Sequence, residues 1–123
     1  MQMGYSMLQL MQGLGHVAPF TAHDEIAYPT AQAWACCCWN VEEQDGLVAY
    51  LYGWVENQVM AALKTIPLGQ SAGQRLLLAL REDIAAAVRI AGATEDDQLS
   101  TQTPMLAILS SRHETQYSRL FRS

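Results

Sequence analysis

Three adjacent cysteines, Cys36-Cys37-Cys38, are the first residues whose type could do chemistry. Thiolates bind soft metals, but successive helical residues point about 100° apart. Three neighbours in an intact helix therefore cannot converge on one ion, and structural zinc sites space their cysteines more widely. We read them as small buried hydrophobes, with a single exposed thiol pairing with another chain as the alternative. His16 and His23 share a segment with Asp24 and Glu25, and imidazole with carboxylate suits nickel or zinc. Their spacing in a loop fits no metal template, so solvated or locally hydrogen-bonded histidines are the plainer reading. Ser110, Ser111, His113 and Glu114 name the ingredients of a hydrolytic triad. Crowded into one terminal stretch, they supply neither rigid geometry nor an oxyanion site. Gly69-Gln-Ser-Ala-Gly-Gln-Arg75 lacks both the glycine spacing and the Lys-Ser or Lys-Thr of a phosphate loop, which excludes nucleotide binding.

The end of the chain carries a different chemistry, that of recognition. Arg112, Arg119 and Arg122 offer planar hydrogen-bonding forks, and Tyr117, Leu120 and Phe121 offer anchors of the kind enriched in interface hot spots. The last twelve residues carry a net charge of +2 against −7 for the rest. A plain solvated terminus is the alternative. We expect residues 112–123 to form a docking tail on a helical domain spanning 1–111.

The elements that must position these residues read as helices. Met3, Met7, Leu10, Met11 and Leu14 fall at helical spacing over Met1 to Leu14, closed by Gly13 and Gly15. A methionine stripe is adaptable packing material for a core or a partner surface, a plainer role than a methionine metal site. His16 to Pro29 is irregular. Thr30 to Val41 is apolar nearly all round, which predicts a helix buried on most sides. From Gln44 to Ile66 the positions Val48, Leu51, Val55, Val59, Ala62 and Ile66 keep the helical rhythm. Gly53 inside that run predicts close helix approach.

The chain then turns at Thr65 to Arg75. Pro67 cannot continue the incoming helix, because it lacks an N–H and its ring clashes with the preceding turn. Gly69 relaxes the backbone beside Gln70. The outgoing helix starts either at Pro67 in a first-turn position or at Ser71, whose Ser-Ala-Gly-Gln reads as a capping box. Leu76, Leu77, Leu80, Ile84, Ala87, Val88 and Ala91 carry it to Gly92. A polar loop and a short helix from Pro104 to about Ser111 follow. The expected class is all-α, a bundle of four to five helices with a C-terminal tail.

Composition narrows the function. The chain has 123 residues, with 50% apolar and only 15% charged, so apolar surface is plentiful and solubilising charge scarce. That favours a surface partly covered by a partner. A net charge of −5 argues against nonspecific nucleic-acid binding. No apolar run reaches the length of a membrane span, no signal-peptide pattern opens the chain, and three adjacent cysteines are not a disulfide framework. The expected location is the cytoplasm.

Two stretches resemble a known family. Thr103-Pro-Met-Leu-Ala-Ile-Leu-Ser-Ser-Arg-His-Glu-Thr-Gln-Tyr-Ser-Arg-Leu-Phe-Arg-Ser123 is similar to the C-terminal signature of the urease accessory protein family UreF. The corner from Lys64 to Arg75 resembles the same family's Pro-Leu/Phe-Gly-Gln segment. Residues from about Val48 onward carry the resemblance, and those before Pro29 match loosely. It implies a non-catalytic, all-helical scaffold that dimerises, binds UreD/UreH, and with it recruits the GTPase UreG to deliver nickel to apo-urease. Nickel is then cargo, and no resident cofactor is expected. Arg112, His113, Glu114, Tyr117, Arg119 and Phe121 match the family's docking tail. Family members are longer and begin with a Gly-rich segment not present here, so the chain reads as the C-terminal half of the family fold. Its bare apolar faces then predict poor solubility or self-association. The competing reading is a metallochaperone that holds nickel itself through His16, His23 or a cysteine.

Overall fold

The computed structural model describes residues 2–20, 25–100 and 103–117. Six α-helices and one 3₁₀ turn account for the regular structure among these residues, with no strand. The helices are α1 (Gln2–Gly13), α2 (Tyr28–Cys38), α3 (Glu43–Thr65), α4 (Gln70–Ala79), α5 (Arg81–Gly92) and α6 (Pro104–Glu114), and the 3₁₀ turn is Asp96–Gln98. The fold is all-α, as expected. Two compact units, Met1–Trp54 and Val55–Ser123, divide the chain within α3.

In the first unit α1 packs along α2. Met11 is fully buried and Leu8 nearly so, while on α2 the small Ala31 and Ala35 are buried one turn apart. Gly4 is buried against the strand of chain that leads into α2, since a Cβ there would collide with the Ile26 carbonyl oxygen. The end of α1 is a left-handed cap: Gly15 has φ +91°, its N–H donates to the Gln12 carbonyl, and the His16 N–H donates to the Met11 carbonyl. Three aromatic contacts tie the unit further. His16 meets Trp39 edge-on at 6.2 Å, Phe20 meets Trp34 edge-on at 6.1 Å, and Tyr28 on α2 stacks with Tyr50 on α3 at 6.2 Å.

The bounds and burial of α2 differ from expectation. It begins at Tyr28, before the predicted Thr30, because Pro29 fits a first turn where no N–H is needed. It ends at Cys38, short of Val41, because Asn40 takes φ 53°. The Asn40 and Val41 N–H groups then close onto the Cys37 and Cys36 carbonyls, the same closing pattern with asparagine in place of glycine. Nor is α2 buried on most sides: Cys37 is exposed, Cys36 and Cys38 are half-buried, and Trp39 is half exposed. Its all-round apolar composition comes largely from alanine and cysteine, which are small enough to leave at a surface.

In the second unit Val59 of α3, Leu77 of α4, and Ile84 and Val88 of α5 are buried. Glu43 and Asp45 in the first turn of α3 and Lys64 in its last suit the helix dipole. The run predicted as one helix to Gly92 is two, interrupted only at Leu80, whose φ −80° and ψ −4° leave the α-helical values. The register survives the break, since Leu80 donates to the Leu76 carbonyl and receives the Ile84 N–H. Close helix approach occurs at Gly73, where a Cβ would stand 2.6 Å from Leu63 Cδ1, whereas nothing lies within 4 Å of Gly53.

Candidate partner-binding surface

The docking stretch begins on a helix. α6 starts at Pro104 and continues one turn past Ser111, so Arg112, His113 and Glu114 form its last turn. Cationic Arg112 sits where the carbonyl end of the dipole is negative, with His113 beside it. Thr115 closes the helix, with its N–H and its hydroxyl both donating to the Arg112 carbonyl, at 3.3 and 3.1 Å. Tyr117 follows, fully exposed. Arg119, Leu120, Phe121 and Arg122 lie outside the described residues, as do His23 and Asp24.

No described side chain of α6 is buried. Met105, Leu106, Ile108 and Leu109 are between 49% and 65% exposed. Met105, Ile108, Leu109 and Arg112 follow a single helical stripe, with Leu106 and His113 on the flank beside it. The result is an apolar band ending in the Arg112 guanidinium. An isolated helix shorter than about 12–15 residues is marginal in water. An eleven-residue helix with this much aliphatic surface therefore has the composition of one that is covered in use.

The corner between α3 and α4 is the second candidate. Thr65 donates its hydroxyl to the Ala61 and Ala62 carbonyls at 3.0 and 3.1 Å as α3 ends. The Leu68 N–H then donates to the Ile66 carbonyl across Pro67, a three-residue turn. Neither predicted start of the outgoing helix holds: α4 begins at Gln70 with Gly69 as its N-terminal boundary. No side chain caps it, because Ser71 already lies inside the first turn, where its hydroxyl cannot play the capping role. Gly69 has φ −72° and open space around it, so its backbone is one that any residue adopts. Pro67, Gly69 and Gln70 are exposed, and Ile66 and Leu68 add apolar surface beside them.

The groups singled out for chemistry are scattered. His16 is engaged with Trp39, Glu25 is exposed, and Ser110, Ser111 and His113 lie on exposed α6. Among the described residues, no three His, Cys, Asp or Glu side chains stand close enough to share a metal ion. No described helix is long and apolar enough to cross a membrane.

Taken together, these features define an all-α chain that presents apolar helix surface with a cationic end. The family model for UreF matches residues 1–81. The chain is 49% identical over 129 aligned positions to the urease accessory protein UreF of Azoarcus sp. (strain BH72), an alignment covering 99% of this chain and 55% of that protein. The chain belongs to the UreF family. It spans about half the length of that curated relative. The family match includes the residues before Pro29, where the sequence resemblance is loose, and the relative's alignment extends over nearly the whole chain.

Proposed function

We propose that the chain is a non-catalytic scaffold of urease maturation, docking through α6 and the residues after it onto UreD/UreH. In that assembly the GTPase UreG is recruited, nickel is the cargo, and apo-urease is the recipient. Family membership supports the setting, and the observation that carries the reading is α6, an exposed apolar helix ending in Arg112 and His113. Arg112, His113, Glu114 and Tyr117 are the contact residues on or beside that helix, and Arg119, Leu120, Phe121 and Arg122 extend the contact along the tail. Arginine forks hydrogen-bond in a plane and aromatic rings fill pockets, so such a segment gains both orientation and buried area on docking. A homodimer formed through other surfaces is compatible with this role.

The test is a pull-down of UreD/UreH with the full chain, with a chain ending at Ser111, and with a full chain carrying Tyr117→Ala and Arg112→Ala. Capture by the full chain, lost in the other two, is the expected outcome. Equal capture by all three would remove the tail from the interface. Equilibrium dialysis against nickel accompanies it, with weak and nonstoichiometric uptake expected. Tight binding of one nickel ion per chain would favour a metallochaperone instead.

A further inference from the structure

Between α2 and the first half of α3 the first unit opens into a cleft of about 570 Å³. Pro29, Ala33, Cys37, Val41, Leu47 and Tyr50 contribute most of its walls, and Glu43 is the charged residue among those lining it. The two helices meet at Gly46, where an added Cβ would stand 3.1 Å from Cys36 Sγ. Clefts of roughly 300–1,000 Å³ accept groups of drug-like size, so this one has room for two large side chains.

Charge narrows what those side chains belong to. Residues 1–63 contain no lysine or arginine, and they include Glu42, Glu43 and Asp45 at the turn into α3. Every lysine and arginine of the chain lies from Lys64 onward. Within the first unit, then, an occupant of the cleft meets carboxylates and no lysine or arginine, which favours an apolar segment with cationic flanks. The chain itself has such a segment in Arg119-Leu-Phe-Arg122, an apolar pair between two arginines.

We infer that this cleft seats Leu120 and Phe121 of a second copy, with Arg119 and Arg122 set against Glu42, Glu43 and Asp45. Each copy carries both a tail and a cleft, so two copies that exchange tails close into a symmetric pair, in which residue i meets j and j meets i. The inference concerns free chains: the same four residues extend the proposed UreD/UreH contact, so self-association and that docking compete for one tail.

Sedimentation velocity over a concentration series tests it on full-length chains. The unaltered chain is expected to associate reversibly, and added salt weakens the association because exposed charges are screened. Phe121→Ala is expected to weaken it about tenfold or more, as removal of a central aromatic anchor does. Glu43→Arg weakens it, and so does Arg119→Glu with Arg122→Glu. Mixing those two charge-reversed chains restores it. Far-UV circular dichroism checks that each variant keeps its helices.

A crosslink locates the seat without altering Glu43. In a chain with Cys36→Ser, Cys38→Ser and Ser123→Cys, which keeps Leu120 and Phe121, mild oxidation is expected to give a disulfide between Cys37 of one copy and position 123 of another, identified by peptide mapping. A monomer at all concentrations would overturn the inference. So would association that tail and Glu43 substitutions leave unchanged, since the contact then lies on another apolar face. A mapped disulfide that never includes Cys37 with position 123 would overturn it as well.

Discussion

Gly4 and Gly53 look alike in the sequence, each one a glycine inside a helical run, and the structure separates them. Gly4 is buried against the Ile26 carbonyl, whereas Gly53 faces open space. A methyl group at position 4 would press on backbone, which no rotamer change relieves. Gly4→Ala is therefore expected to destabilise the fold by about 1–3 kcal/mol through overpacking. Gly53→Ala removes only the entropy cost of glycine in a helix and is expected to stabilise by about 0.5–1 kcal/mol. Urea denaturation followed by circular dichroism reads both, and a matching sign for the two would contradict this account. The close approach assigned to Gly53 from sequence belongs in fact to Gly73, opposite Leu63. What stands opposite a glycine is a long-range fact, and a local pattern does not contain it. The cysteines teach the same lesson: their small size and apolarity suggested burial, yet Cys37 is exposed.

At the scale of the element, apolar spacing located the helices well and their ends poorly. The run from Gln44 to Ile66 corresponds to α3 within a residue at each end. Periodicity reports which face is buried, and a face persists through the minor break at Leu80, so one predicted helix became α4 and α5. Ends depend on single backbone angles instead. Asn40 stops α2 by adopting φ 53°, a value that costs a β-branched residue about 1–2 kcal/mol. Asn40→Val is expected to lower stability by that amount, while Asn40→Gly keeps or slightly raises it. Equal losses in the melting temperatures of the two would show that the Asn40 side chain, not its backbone angle, matters. α6 invites a different measurement. With no described side chain buried, its amides are expected to exchange hydrogen quickly in the free chain and slowly once UreD/UreH is added. Protection that appears only elsewhere would place the docking surface away from α6. The cationic end of this helix was legible as recognition chemistry, but its continuation past Ser111 was not, because no apolar period runs through Arg112-His-Glu114.

For the whole molecule, the scarcity of charge and abundance of apolar residues pointed to a surface covered in use, and the structure gives that surface addresses. Trp39, Trp54, Leu78, Ile90 and the aliphatic residues of α6 are all at least about half exposed, while only eight apolar side chains are buried among the described residues. Four of the eight serve each unit, and two of the four in the first are alanines. Little apolar area then opposes the conformational entropy of each unit, so the free chain is expected to melt broadly and to bind a hydrophobic dye. Any partner that binds only the folded state shifts that balance by mass action, about 2.7 kcal/mol at a hundredfold excess over Kd. For a chain of this length such a gain raises Tm on the order of 10 °C. Saturating UreD/UreH is therefore expected to sharpen the melt, raise Tm and displace dye together. The full-length Arg112→Ala and Tyr117→Ala chain should show a smaller shift in all three at equal partner concentration. A free chain that is monodisperse, dye-silent and cooperatively melting would mean that the exposed apolar surface is tolerated without a cover, and the coupling between docking and stability would fail with it.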